Sequence, residues 1–356
     1  MARVKKLSRK VIVYLSCEIL VTVVAILGNA LVAVSFIRDR RMRTPTNLYI
    51  FSLAVVNLLT STVAIPVYLH SMITERPRDF TACLYVNTLL MTFCTVSIFH
   101  LVAVSFDRYM AVVWGRKPAT HERGMRKAIF GIVTAWVLGS AIGTMPLMGW
   151  HGGRPDQYDV SKCDFLRVMN TTYLMFVFFA TVVTPSIFLI FFYLSIYCAA
   201  RRHRERLASV GVALDSRMSV RQKHHAHQHH DDETDEMEFD QADELEEAIE
   251  SDASKQEIAN MARVTFSLFL VIIFFHICWY PLHIMNLITY YTSDNFFEKW
   301  HFFAPIVLSH ASNAINPFIY GFTMPKYKEA FVEALACRKP VHAPKRRSKY
   351  QLTERY

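Results

Sequence analysis

The chain has 356 residues, 53% of them hydrophobic and 26 of them Phe, with a mean hydropathy of +0.21. That is more apolar length than a soluble domain of this size needs, and it falls into runs as long as a bilayer is thick. The net charge of +9 hides a division: fourteen of the thirty acidic residues lie within 231–257, leaving a strongly basic remainder suited to loops beside anionic lipid.

The apolar runs are 11–37, 46–72, 82–113, 126–150, 171–200, 259–291 and 300–323. They predict an all-α membrane protein, a seven-transmembrane helix bundle over 11–323, with a short amphipathic eighth helix over 324–337. No internal repeat of the transporter kind is visible. The opening MARVKKLSRK is basic, but the apolar run behind it is too long for a signal-sequence core, so the first helix is expected to be its own insertion signal. Basic residues at 38–43, 116–127, 199–206 and 345–349 outnumber those in 73–81, 151–170 and 292–299. The positive-inside rule then places residues 1–10 outside and the tail, 338–356, inside, against the opposing charge of the N-terminus itself.

Glu18 and Gly28-Asn29 stand in the first run and Asn57 in the second. Such groups are costly at membrane depth unless they face a partner, a cavity or a ligand. The third run opens with Cys83 and ends in Asp107-Arg108-Tyr109; taken alone, that arginine reads equally as one snorkelling to the interface. Cys163 lies in the loop before the fifth run, on the same oxidising side as Cys83, so a disulfide between them is expected. Cys17, Cys94, Cys198 and Cys278 fall inside apolar runs and read as packing residues. Asn170-Thr171-Thr172 is a glycosylation sequon set hard against the fifth run, where steric access is poor.

Between the fifth and sixth runs, about 203–257, a basic stem leads through HHAHQHH (224–230) into the acidic block. Such composition buries no core, and a solvated, disordered spacer is expected, with metal binding or pH sensing by the histidines as the alternative. The sixth run carries Phe275 and Cys278-Trp279-Tyr280-Pro281, whose proline must kink a helix. The seventh places Ser309, His310, Ser312, Asn313 and Asn316 ahead of Pro317 and Tyr320. YKEAFVEALA follows and ends beside Cys337, which reads either as an acylation site or as a free thiol. No nucleophile–base pair, metal-ligand motif or phosphate loop stands out, which argues against an enzyme.

Asn29, Asp107-Arg108-Tyr109, Trp136, Pro185 with Tyr193, Cys278-Trp279-Tyr280-Pro281 and Asn316-Pro317-Phe318-Ile319-Tyr320, in this order, resemble the rhodopsin-like (class A) G-protein-coupled receptors over about residues 11–337. The resemblance implies that Arg108, Tyr193 and Tyr320 reorganise when the sixth helix swings outward and admits a heterotrimeric G protein. Phe275 and Trp279 would lie beneath the ligand, and Asp107 would hold Arg108 at rest. The sixth run begins Asn260-Met261-Ala262-Arg263 without an acid, so a second restraint on Arg108 is expected to be missing. The seventh run has no Lys for a retinal Schiff base, and Leu90 stands where amine receptors place an Asp.

YLSCEILVTVVAILGN (14–29), WVLGSAIGTMPLMGW (136–150), WYPLHIMNLITYY (279–291) and LSHASNAINPFIY (308–320) resemble the adenosine receptors in particular, as does the spacing of Cys163 and Phe165. The resemblance implies a nucleoside ligand, adenosine or a close relative. Phe165 would offer a ring face to the base, or else merely plug the bundle. Asn286 would read the adenine edge, its amide both donating and accepting, or else bond to backbone. Trp279, Leu282, His283 and Ile306 would complete the lining. Ser309 and His310 would meet the ribose, with Glu18 as partner to His310 or as half of a purely structural pair.

The chain also departs from that family. Leu166 replaces an acid after the stacking Phe, and Cys94, Thr95 and Val177 replace a Thr, a Gln and an Asn. Asn57 stands where nearly all class A receptors coordinate sodium with an Asp, near Ser97, and Ser312-Asn313 reverses the usual order. The expected partners are therefore a small nucleoside, a G protein and membrane lipid at the plasma membrane. No cofactor, metal or nucleic acid is expected.

Overall fold

Each of the first five helices opens where a short polar side chain meets otherwise unpaired backbone N–H groups. Ser8 accepts from Val11, Thr44 from Asn47, Asp79 from Ala82 and Thr120 from Arg123. Asn170 accepts from both Thr172 and Tyr173. These caps start α1 (Arg9–Arg38), α2 (Pro45–Thr74), α3 (Phe80–Val112), α4 (His121–Gly143) and α5 (Thr171–Ala199). Then come α6 (Arg263–Thr289), α7 (Phe303–Thr323) and α8 (Pro325–Leu335). This computed structural model describes residues 8–114, 120–152, 163, 165–199, 201–202, 205, 263–289, 291–292 and 298–336. The 203–257 spacer (apart from 205), the 338–356 tail and Cys337 lie outside the described residues.

By length and composition α1 to α6 are each apolar enough to cross a membrane. The 21 residues of α7 span about 30 Å, also membrane length, with the polar residues of the seventh run on board. Among the described residues, seven membrane-length helices thus form the bundle and the amphipathic α8 follows, as the apolar runs predict. The fourth run does not stay helical to residue 150. Pro146 lacks an N–H and would crowd the carbonyl four residues back, so α4 stops at Gly143. A 3-10 turn follows at Met145–Met148 and closes on Gly149 at φ +108°, a left-handed conformation glycine adopts freely.

At two other prolines the helix continues. A wide π turn covers Thr60–Ala64 ahead of Pro66 in α2, and another covers Phe178–Val183 ahead of Pro185 in α5. In each, the carbonyl four residues before the proline has lost its usual donor, and the extra residue per turn makes room for the ring.

Polarity is inverted relative to a soluble bundle. Leu20, Leu27, Phe130, Val137 and Leu194 are exposed, whereas Glu18, Asn29, Asn57, Ser97, Ser309 and His310 are buried. A surface facing hydrocarbon rewards this arrangement, and polar groups turned inward find one another. Cys94 and Cys278 are buried, but Cys17 and Cys198 point outward, so the packing role expected for those two is corrected. Small residues bring the helices close: a Cβ on Gly139 would lie 2.5 Å from the Val96 Cα, and Thr95 donates to the Gly139 carbonyl at 2.7 Å.

The inner core joins Val32, Ile50, Leu101, Tyr193, Phe275, Trp279, Tyr320 and Tyr327. A second cluster surrounds the Cys83–Cys163 disulfide, and a third joins Tyr14, Ile65 and Leu69 at the outer end of α1 and α2. On the loop between α1 and α2, Arg41 donates to Asp39 and reaches Glu333 of α8 at 3.2 Å. The hydrogen bond to Asp39 raises the Arg41 guanidinium above its ordinary value.

Candidate functional site

The outer half of the bundle holds two groups of polar side chains. Between α1 and α7, His310 Nδ1 donates to Glu18 Oε2 at 2.9 Å, with Glu18 fully buried and His310 nearly so. The carboxylate selects the tautomer, because it can only accept. Tyr14, one turn before Glu18, stacks on Phe303, while Tyr68 of α2 meets the His310 ring edge-on. Ser309 donates to the Ile306 carbonyl, which leaves its oxygen able to accept. Ile306 itself packs on the Tyr14–Ile65–Leu69 cluster.

The second group lies between α5 and α6. Asn286 and His283 line a cavity with Leu174, Met175 and Phe178. His283 is buried against the rings of Phe178 and Trp279, at 5.2 and 5.8 Å between centroids. Leu282, one residue earlier, packs on the inner core. Phe165 and Leu174 both pack on the disulfide cluster, and Leu174 also lines the Asn286 cavity. The cluster follows from covalent geometry: Cys163 ties the loop to the outer end of α3, two residues before Phe165. The Leu166 side chain lies outside the described residues.

Sequence reasoning missed Tyr14, Tyr68, Leu174 and Phe178. The i, i+4 spacing of Tyr14 and Glu18 was available as a signal. Nothing in one sequence pairs Tyr68 with His310, or Phe178 with His283.

Towards the inner side the polar residues are joined by direct contacts. Asn29 donates to the Ala25 and Asn313 carbonyls at 2.8 and 2.9 Å. Asn57 donates to Asn29 Oδ1 at 3.2 Å and accepts from Ser97 at 3.4 Å. Trp279 Nε1 donates to Ser312 at 3.2 Å, and its ring stacks on Phe275. Pro317 nestles against Gly28, where a Cβ would lie 2.9 Å from its ring, and Asn316 is buried one residue before.

At the inner end of α3, Arg108 Nη2 meets Asp107 at 2.6 Å. Tyr109 packs on Phe192, and Tyr193 shares a 3.4 Å contact with Ser105. The Tyr320 hydroxyl is buried without a hydrogen-bond partner among the described residues, its ring 5.5 Å from that of Tyr327. The chain therefore presents two outer polar groups and an inner polar network that runs through Trp279, Ser312 and the asparagines.

Comparison with known proteins agrees with this architecture. The family described as 7 transmembrane receptor (rhodopsin family) matches residues 28–320. The chain is 28% identical over 336 residues to adenosine receptor A2a of Homo sapiens, covering 90% of this chain and 71% of that one. It is 26% identical over 337 residues to adenosine receptor A2b of Gallus gallus, covering 89% and 86%, and 24% identical over 335 residues to A2b of Homo sapiens. The chain belongs to the rhodopsin family of seven-transmembrane receptors: a multi-pass membrane receptor and not an enzyme, with a small-molecule ligand and a heterotrimeric G protein as partners.

Proposed function

We propose that the chain is a plasma-membrane receptor for adenosine or a closely related nucleoside, with residues 1–10 outside and the tail inside. The observation that carries this reading is the buried Glu18–His310 pair beside Ser309, across the bundle from an Asn286-lined cavity. A nucleoside has a hydroxylated sugar and a flat, edge-polar base, and those two groups offer matching chemistry. The carboxylate–imidazole pair accepts from and orients hydroxyls, Asn286 both donates to and accepts from a base edge, and Phe165 offers a ring face. Ligand arriving above Trp279 would press on the Phe275 stack and shift α6, releasing Arg108 from Asp107 while Tyr193 and Tyr320 turn inward. Lipid would surround the exposed apolar flank, with α8 along the inner face.

The altered residues favour a second reading. Asn57 joins α1 and α3 without charge, and the substitutions at Cys94, Thr95 and Val177 remove ribose-side partners found in the family. Both suit a receptor-shaped protein that is constitutively active or serves as a scaffold. The Asp107–Arg108 pair weighs against it, because a restrained arginine belongs to a bundle that still has a resting state.

The experiment is a cyclic AMP response in cells against a panel of nucleosides and purines, with Asn286→Ala alongside. A buried base edge that loses both hydrogen bonds to one side chain should cost roughly 100-fold or more in potency, at unchanged surface expression. A full response from Asn286→Ala would rule out the adenine-reading role.

A further inference from the structure

At the inner end of α6, Ser267 is fully buried and its Oγ lies 2.5 Å from Oγ1 of Thr323, the last residue of α7. Roughly two and a half turns outward along α6, His276 Nε2 lies 2.5 Å from Ser186 Oγ of α5, with the Tyr280 hydroxyl 3.5 Å from the same oxygen. Both contacts tie α6 to a neighbouring helix. Among the described residues no ion pair does so: Arg108 is held by Asp107, on its own helix.

We propose that Ser267 with Thr323, and Ser186 with His276, are positioning residues that hold α6 inward in the unliganded receptor. The first pair lies where an outward swing of α6 moves it furthest from α7. The second lies beside Phe275 and about one turn from Pro281, where a swing becomes a rotation against α5.

Proton counting shows what kind of restraint these pairs make. Ser267 Oγ also lies 2.7 Å from the Arg263 carbonyl, and Thr323 Oγ1 lies 2.5 Å from the Ile319 carbonyl. Three contacts share two hydroxyl protons, so one contact is always without a donor. When the helices part, each hydroxyl keeps the carbonyl of its own helix. Ser186 is placed alike. His276 Nδ1 donates to the Ile272 carbonyl at 2.6 Å, so in the neutral ring Nε2 accepts. The single Ser186 proton then divides between Nε2 and the Val182 carbonyl. Opening either pair strands no buried donor, so each is a light and reversible hold, weaker than a buried ion pair. A ligand with modest preference for the open state is enough to release it.

The test is nucleotide exchange without agonist, on G proteins of each class, in membranes containing the full chain and normalised to surface receptor. Ser267→Ala and Thr323→Val should each raise basal exchange roughly two- to four-fold, less than one net hydrogen bond is worth, because the interhelix contact only shares a proton that a carbonyl of the same helix can reclaim. The double variant should exceed neither single, because both remove the same bond. Ser186→Ala and His276→Leu should behave likewise, whereas Thr323→Ser keeps the hydroxyl and should match wild type. If Ser267→Ala fails to reach the surface, Thr323→Val tests the same bond from the other helix. Exchange that stays at or below wild type, or singles whose effects simply multiply in the double, would overturn the proposal. No ligand enters the assay, so the result is independent of the nucleoside reading.

Discussion

Glu18 and His310 illustrate what a single pair of residues can decide in a bundle this apolar. Neither is affordable alone at its depth, and the 2.9 Å contact makes each the condition for the other. His310→Ala should therefore lower the stability of the solubilised receptor by about 3–5 kcal/mol, because it leaves a buried carboxylate uncompensated. Replacing both by leucine should recover most of that loss, since the desolvated charge goes too. Thermal unfolding in detergent separates the cases. A single variant melting at the wild-type temperature, or a double variant worse than the single, would contradict the coupling. Asn170 is a quieter instance: its side-chain oxygen caps α5, a structural task for the sequon asparagine.

At the scale of helices, the polar contact among α1, α2 and α3 runs through two neutral amides and a serine hydroxyl. Asn57 donates to Asn29 and accepts from Ser97, so both ends of its amide are engaged and no carboxylate stands ready for a cation. Ser312 is likewise occupied by Trp279. A hard cation leaving water needs oxygen ligands and compensating charge. Agonist affinity should accordingly be unchanged when sodium replaces choline at fixed ionic strength, a design that keeps screening constant. Asn57→Asp should introduce sodium sensitivity only in part, because Ser312 and Asn313 stay exchanged. Radioligand competition in the two salts reads any linked shift. A clear fall in wild-type agonist affinity in sodium would sink the expectation.

For the whole molecule, the receptor body and the 203–257 segment are expected to be energetically separate. Fourteen acidic residues within 231–257 and the histidine run before them provide too little apolar surface to offset the cost of ordering. The two elements beside the segment, α5 and α6, are instead held by their own packing, with Tyr193, Phe275 and Trp279 in the common core. Deleting about residues 207–255 should leave ligand affinity within roughly two-fold of wild type, since a segment of this composition does not fold on its own. Saturation binding on surface-expressed receptor measures this. Loss of binding by a deletion that still reaches the surface would show that the segment supports the ligand site.

The amino-acid sequence by itself determined the helices, because hydrocarbon-length apolar runs leave the backbone no other way to satisfy its hydrogen bonds. It also marked the costly residues: Glu18, Asn57, His310 and Pro317 stand out against their apolar neighbours. What it did not carry was contact across helices. The end of α4 at Gly143 depends on Pro146, which is local and could have been read. The edge-on meeting of Tyr68 with His310, the Ser186–His276 contact and the Ser267–Thr323 contact join residues 56 to roughly 240 positions apart. Periodicity reports which face of a helix is polar, not which neighbour that face will meet. Only tertiary packing decided that α6 meets its neighbours through hydroxyls, an imidazole and an indole, because helix rotation and spacing are set by all the surrounding side chains together.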